Sequence, residues 1–169
     1  GHFEARHPWM HYHERLAGGI ARLVGAQPAE VIAMNTLTAN LHLMLVSFYR
    51  PSGARRAILM EHSAFPSDRH AVESQVRFHG LDPARDLIEI APRDGEDLLR
   101  TEDIVATIER EGARIATILL PGVQYLTGQV LDVEAITAAG RKAGCIVGWD
   151  LAHAVGNVPV SLHDAGADF

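Results

Sequence analysis

Apolar residues along this chain follow two alternating rhythms. Short, nearly unbroken aliphatic runs at Ala57–Met60, Leu87–Ile90, Ile115–Leu120 and Cys145–Trp149 have the length and β-branched content of buried strands. Between them, apolar residues three and four apart predict helices over Tyr12–Val24, Thr38–Tyr49, Ser67–Phe78, Glu102–Glu111 and Val133–Lys142. Leu16, Ile20 and Leu23 form the stripe of the first helix, which Gly25 ends, and Pro51 closes the second. Thr101 and Asp132 stand as caps ahead of the last two, and a further short strand is expected over Val31–Met34. Such alternation, joined by turns of two to six residues, specifies one α/β domain over residues 1–169: a mostly parallel sheet flanked by helices in three α/β/α layers. No repeat, low-complexity tract or internal boundary interrupts it.

Composition narrows the classes. With 169 residues, 47% hydrophobic and 21% charged, the chain can bury a core. A net charge of −6 leaves no basic footprint, so neither nucleic acid nor an anionic membrane is an expected partner. No apolar stretch approaches the roughly 18 residues of a membrane span, and no signal-peptide pattern opens the chain. The single cysteine, Cys145, falls inside a predicted strand, which rules out a disulfide framework and fits a reducing cytoplasm. The chain opens on Gly rather than Met, and Gly1–Pro8 reads like the middle of something longer, so a fragment is expected.

Candidate chemistry gathers where strands end. Ligands of parallel sheets sit beyond the carboxyl ends of the strands, so an ionisable group placed there faces a ligand rather than the core. The run from Cys145 stops on Asp150, with His153 three residues later; the pair reads equally as a polar loop or helix cap. After Met34 comes Asn35-Thr36-Leu37-Thr38, where hydroxyls and N–H groups collect at a helix start, either to cap it or to bind an anion. After Met60 comes Glu61-His62-Ser63-Ala64-Phe65-Pro66-Ser67-Asp68: ordinary capping chemistry, but with an aromatic placed to offer its face to a flat ligand.

A phosphate seat, an aromatic face and a carboxylate are the needs of one cofactor. The segments Met34–His42, Phe65-Pro66-Ser67-Asp68, Gly122–Gln129 and Asp150–Asn157 resemble the kynureninase family, pyridoxal-phosphate hydrolases of the aspartate-aminotransferase fold type (fold type I). The likeness runs from Gly1-His2 to Gly166–Phe169, which implies that the domain is part of the large, cofactor-binding domain of that fold. By this resemblance Leu37 and Thr38 form the phosphate turn, and Phe65 stacks on the pyridine ring with Pro66, Ser67 and Asp68 completing the wall. Asp150 bonds the pyridine nitrogen, His153 lies beside the cofactor, and His2 lies near the aromatic ring of the substrate. One departure is Pro121, where relatives often carry a hydroxyl residue before the glycine.

The resemblance also implies a reaction: cleavage of the Cβ–Cγ bond of L-kynurenine or 3-hydroxykynurenine to an anthranilate and L-alanine. That is a step of tryptophan catabolism, the kynurenine pathway leading towards NAD biosynthesis, carried out by a cytoplasmic homodimer. A carboxylate at Asp150 makes physical sense, because a free pyridine nitrogen of this kind is mostly neutral at pH 7. Raising its pKa by about 2 to 3 units corresponds to about 3 to 4 kcal/mol, which a buried carboxylate can supply. The family's cofactor lysine is expected a few residues beyond Phe169; Lys142, at a helix end on the far side of a strand from Asp150, cannot serve. By itself the fragment is therefore expected to show no turnover and has no catalytic residue of its own. Other readings stay open: a related class V aminotransferase-like or cysteine-desulfurase-like enzyme, or a non-enzymatic binding module, favoured by the missing lysine. A metal-dependent hydrolase using His11, His13, Asp150 and His153 has less behind it, since no His-x-x-x-His helix pair occurs and no metal ligand set is expected.

Overall fold

The four long aliphatic runs become strands because each finds a parallel neighbour. In the computed structural model, which describes residues 1–169, they are β1 (Ala57–Glu61), β2 (Leu87–Ile90), β3 (Ile115–Pro121) and β4 (Ile146–Asp150). They form one sheet of order β2-β1-β3-β4 with every pairing parallel. Helices α1 (Glu14–Val24) and α2 (Leu37–Phe48) precede the strands, α3 (Pro66–Phe78), α4 (Pro83–Asp86), α5 (Thr101–Glu111) and α6 (Val133–Lys142) connect them, and α7 (Leu162–Ala165) follows.

The period-two alternation of strand side chains splits the core in two. Ile58 and Met60 of β1 point to one face, where they pack with Leu41 and Leu45 of α2 and Val72 and Val76 of α3. Leu59 points to the other, with Ile104 and Ile108 of α5, Ile136 of α6, and Ile118, Val147 and Trp149 of the neighbouring strands. The polar tip of Trp149 is satisfied by the buried hydroxyl of Thr137 at 3.0 Å. The outer edge of β4 is occupied by the chain itself: Val147 N–H donates to the Asp168 carboxylate at 2.8 Å, and Trp149 N–H to the Phe169 carbonyl at 3.0 Å.

Several expectations need correction. Val31–Met34 is not a strand: it follows a 3-10 turn at Pro28–Glu30 as irregular chain, with Ile32 57% exposed and no ladder partner to satisfy its backbone. Thr101 is not a cap; Arg100 occupies that position and Thr101 is the first helical residue, whereas Asp132 does cap α6 by accepting from Ala135 N–H at 2.9 Å. The connections over residues 91–100 and 122–132 are longer than two to six residues, and the short α4 and α7 were not foreseen. β3 and β4 each run one residue further than their aliphatic pattern, because Pro121 and Asp150 pair with each other. That extension places Asp150 on the rigid sheet rather than in the loop after it.

Candidate functional site

The carboxyl ends of β1, β3 and β4 lie side by side, so Glu61, Pro121 and Asp150 share one end of the sheet. A cleft opens there, walled by Phe65 and Asp68 from the start of α3, Tyr125 from the loop after β3, and Asp150 and His153. The sheet therefore brings together four of the residues singled out from the sequence.

Asp150 is partly buried, and its carboxylate does two things. Its Oδ1 accepts from Ala152 N–H at 2.7 Å, an Asx turn, so the polar-loop role is real. The residue also lines the cleft, where its carboxylate meets the carboxyl of Asp68. Asp68 is 6% exposed, and burial pushes its carboxyl up to about 7, helped by a hydrogen bond and repulsion from Asp150. Burial and Asp150 thus favour the protonated form of Asp68, and Ser67 Oγ, donating to Asp68 Oδ1 at 3.3 Å, acts against them. Glu61, 3% exposed, behaves similarly: burial raises it to about 7, a hydrogen bond from Gln124 acts against the rise, and the charge of Asp150 adds to it.

Three rings close the side of the cleft. Phe65 and Tyr125 meet edge to face with centroids 5.1 Å apart; His153 stands 6.3 Å from Phe65 and 6.4 Å from Tyr125. Free volume among them is about 20 Å³. That is room for a water molecule, not the several hundred Å³ of a pre-formed ligand pocket. Phe65 stands at the rim, 41% exposed. On the β2 side of Glu61 lies an open cleft of about 680 Å³, bordered by Ser63, Ile90, Leu99 and Gln124.

The start of α2 answers the capping question raised by its sequence. Thr36 holds the N-cap position in extended conformation, yet its side chain makes no capping bond. The N–H groups of Leu37, Thr38 and Ala39 have no protein acceptor and lie at an exposed helix end, which is where an anion is favoured. Neither Leu37 nor Thr38 borders the Asp150 cleft, and Pro66 is exposed outside it. His2 is exposed on the N-terminal segment against the rings of Phe3 and Trp9, with centroids 6.2 and 6.3 Å away. His11 and His13 precede α1, where His11 bonds Glu14 at 2.8 Å. Lys142 is exposed at the end of α6, at the opposite end of β4 from Asp150, a strand length of about 13 Å.

Sequence reasoning missed Tyr125, Glu61 and Gln124 as site residues. Glu61 carried a signal, a carboxylate ending an aliphatic run just as Asp150 does; Tyr125 and Gln124 lie in the Gly122–Gln129 segment that carries the resemblance, but nothing there gave either a role. Chemically the group offers a carboxylate for a cationic N–H, an aromatic face for a flat ring and, at the start of α2, bare N–H groups for an anion.

The aminotransferase class-V family model matches residues 4–169. The kynureninase of Salinispora tropica is 60% identical over all 169 residues, which correspond to 39% of that protein. That of Myxococcus xanthus is 59% identical, with the whole chain covering 40% of it. That of Nematostella vectensis is 56% identical, with the whole chain covering 36% of it. The chain thus spans about 40% of the length of the curated relatives it matches. Among solved structures, apo cysteine desulfurase from Thermococcus onnurineus superposes with a TM-score of 0.76 at 19% identity, over 92% of this chain and 36% of that one. A cystine C–S lyase in complex with cysteine persulfide gives 0.72 at 16%, over 92% and 40%. At such identities the likeness is one of fold.

Proposed function

We propose, from the premise that this chain belongs to the aminotransferase class-V family, that it is the cofactor-holding part of a longer kynureninase. Its cofactor is pyridoxal phosphate, and the reaction is hydrolytic cleavage of the Cβ–Cγ bond of L-kynurenine or 3-hydroxykynurenine to an anthranilate and L-alanine. The residues present fit that cofactor by the chemistry of their donor groups: a carboxylate lining the cleft at Asp150, an aromatic face at Phe65, and unbonded N–H groups at Leu37 and Thr38. When bound, pyridoxal phosphate supplies an electron sink for the carbon centre being broken, deep only while its ring nitrogen carries a proton.

In this reading Asp150 holds that proton in place. Asp68, whose carboxyl burial biases towards the protonated form, bonds Asp150 and limits the negative charge in the cleft. Phe65 would cover one face of the ring and exclude water from it, with Pro66 and Ser67 shaping the turn that carries it. The start of α2 would take the phosphate through Leu37 and Thr38, His153 would stand beside the ring, and His2 would contact the aromatic part of the substrate. A cytoplasmic homodimer belongs to the same reading, and the unpaired Cys145 supports its reducing setting.

The observation that carries the proposal is the placement of Asp150 at the end of β4 in one cleft with Phe65, in a chain 60% identical to a kynureninase. The test is the full-length protein with pyridoxal phosphate, offered L-kynurenine, 3-hydroxykynurenine and cysteine in turn. Release of anthranilate or 3-hydroxyanthranilate together with alanine is expected. Sulfur release from cysteine without either anthranilate would replace the reading by the desulfurase-like one.

A further inference from the structure

Among the side chains that hold the loop after β3 is one that the proposed chemistry does not use. Gln124 is 5% exposed and bonded at both ends of its amide. Its Oε1 accepts from Leu126 N–H at 2.6 Å, Thr127 N–H at 2.9 Å and Thr127 Oγ1 at 3.3 Å. Its Nε2 donates to the Ser63 carbonyl at 3.1 Å. The backbone closes the same turn, with Gln124 N–H donating to Gln129 at 2.8 Å and Gly128 N–H to Gln124 at 2.9 Å; Gly128 has φ +72°, which favours glycine.

The two ends of this amide reach two different strand exits. Ser63 lies on the exit from β1, two residues ahead of Phe65; Tyr125 directly follows Gln124 on the exit from β3. These are the two aromatics that meet edge to face at the rim of the cleft. We infer that Gln124 is a positioning residue: by tying Ser63 to the 124–128 turn it sets the Phe65–Tyr125 corner, and with it the aromatic face presented to a ring bound at Asp150. The identity of that ring rests on the function proposed above; the tie between the two exits does not.

The chemistry calls for an amide. One atom must accept from N–H groups and another must donate to a carbonyl, and a carboxylate of the same length does only the first. Glutamate at this place would keep the turn and lose the tie, setting its charge against the Ser63 carbonyl and beside Glu61. A hydrocarbon would lose both. A neighbouring amide serves as a control: Gln129 fastens the same loop elsewhere, its Nε2 donating to the Leu99 carbonyl at 2.6 Å and its Oε1 accepting from Leu99 N–H at 2.9 Å.

The experiment compares full-length Gln124→Glu, Gln124→Leu and Gln129→Ala with the parent by amide hydrogen exchange in the cofactor-free state. It also measures the Kd for pyridoxal phosphate and the circular dichroism of the bound chromophore. Gln124→Glu should speed exchange over residues 62–65 while leaving 124–128 protected, weaken cofactor binding about tenfold and diminish the induced dichroism. Gln124→Leu should speed exchange in both segments, and Gln129→Ala should leave the Kd within about twofold. Gln124→Asn, one methylene short, replaces any variant that fails to fold and should change exchange and Kd in the same directions as Gln124→Leu. Unchanged exchange over 62–65 in Gln124→Glu would overturn the inference, as would parental cofactor binding in both Gln124→Glu and Gln124→Leu. If the parent binds no pyridoxal phosphate, the function proposed above fails, and the exchange data still decide whether Gln124 ties the two exits.

Discussion

The ring of Tyr125 meets the ring of Phe65 edge-on, with centroids 5.1 Å apart and planes at 74°, although one follows β3 and the other leads into α3. Phe65 is thereby braced on one side and 41% exposed on the other, so the ring has a resting position and a direction in which to yield. Tyr125→Ala removes the brace. It should weaken pyridoxal phosphate binding by the full-length protein about fivefold to tenfold, whereas Tyr125→Phe, which keeps the ring edge, should leave it near the parent value. Titration of cofactor fluorescence measures both.

Two buried carboxyls make the domain sensitive to pH in a defined direction. Asp68 and Glu61 are both raised to about 7, above the ordinary carboxylate range, so the native state holds more protons than the unfolded chain between about pH 4 and pH 7. Their contribution is fully present below pH 4 and is lost as pH climbs through 7. Stability of the cofactor-free full-length protein should fall by up to about 1.4 kcal/mol per pH unit per group in that window. Urea midpoints taken across it should flatten in Asp68→Asn and in Glu61→Gln. A slope over this window that is the same in the parent and in both variants would contradict the assignment.

Arg55 fastens the opposite end of the sheet. Its guanidinium donates to the carbonyls of Gly112 at 2.9 Å, Ile115 at 2.7 Å and Ala143 at 3.0 Å, and lies 3.6 Å from Cys145 Sγ. Arg55→Met keeps most of the stem and strips these carbonyls of their donor. It should cost about 2 to 3 kcal/mol in urea unfolding with little change in cofactor affinity. Arg55→Lys, which lacks the planar fork, should recover only part of the loss.

Local pattern carried most of the architecture and only part of the site. β2 and α6 were legible to the residue, because apolar period and flanking residues agreed about where each begins and ends. Val31–Met34 has the composition of a strand and is none, since pairing is a property of neighbours that a window of four residues does not contain. Asp150 and Phe65 were legible because strand exits in parallel sheets are predictable places for ligands. Tyr125 and Gln124 were not: their roles arise where the exit from β3 meets the exit from β1, a contact made only by the folded sheet.

For the proposed reaction, Asp150→Asn keeps the shape of the side chain and removes its charge. Losing about 3 kcal/mol of stabilisation at the ring nitrogen corresponds to a fall of about a hundredfold in kcat/KM for L-kynurenine in the full-length protein. Turnover close to the parent would reduce Asp150 to the cap of the Ala152 turn, the bond its Oδ1 already makes.

The central claim is that the end of β4 holds a pyridine nitrogen in its protonated state through Asp150. Nitrogen NMR of full-length protein loaded with pyridoxal phosphate labelled with ¹⁵N in the ring reads that protonation directly. The account predicts a pyridinium signal in the parent that moves to the neutral-pyridine position in Asp150→Asn, under conditions where both proteins are saturated with cofactor. A pyridinium signal that persists unchanged in Asp150→Asn, or a neutral nitrogen in the parent, would contradict it.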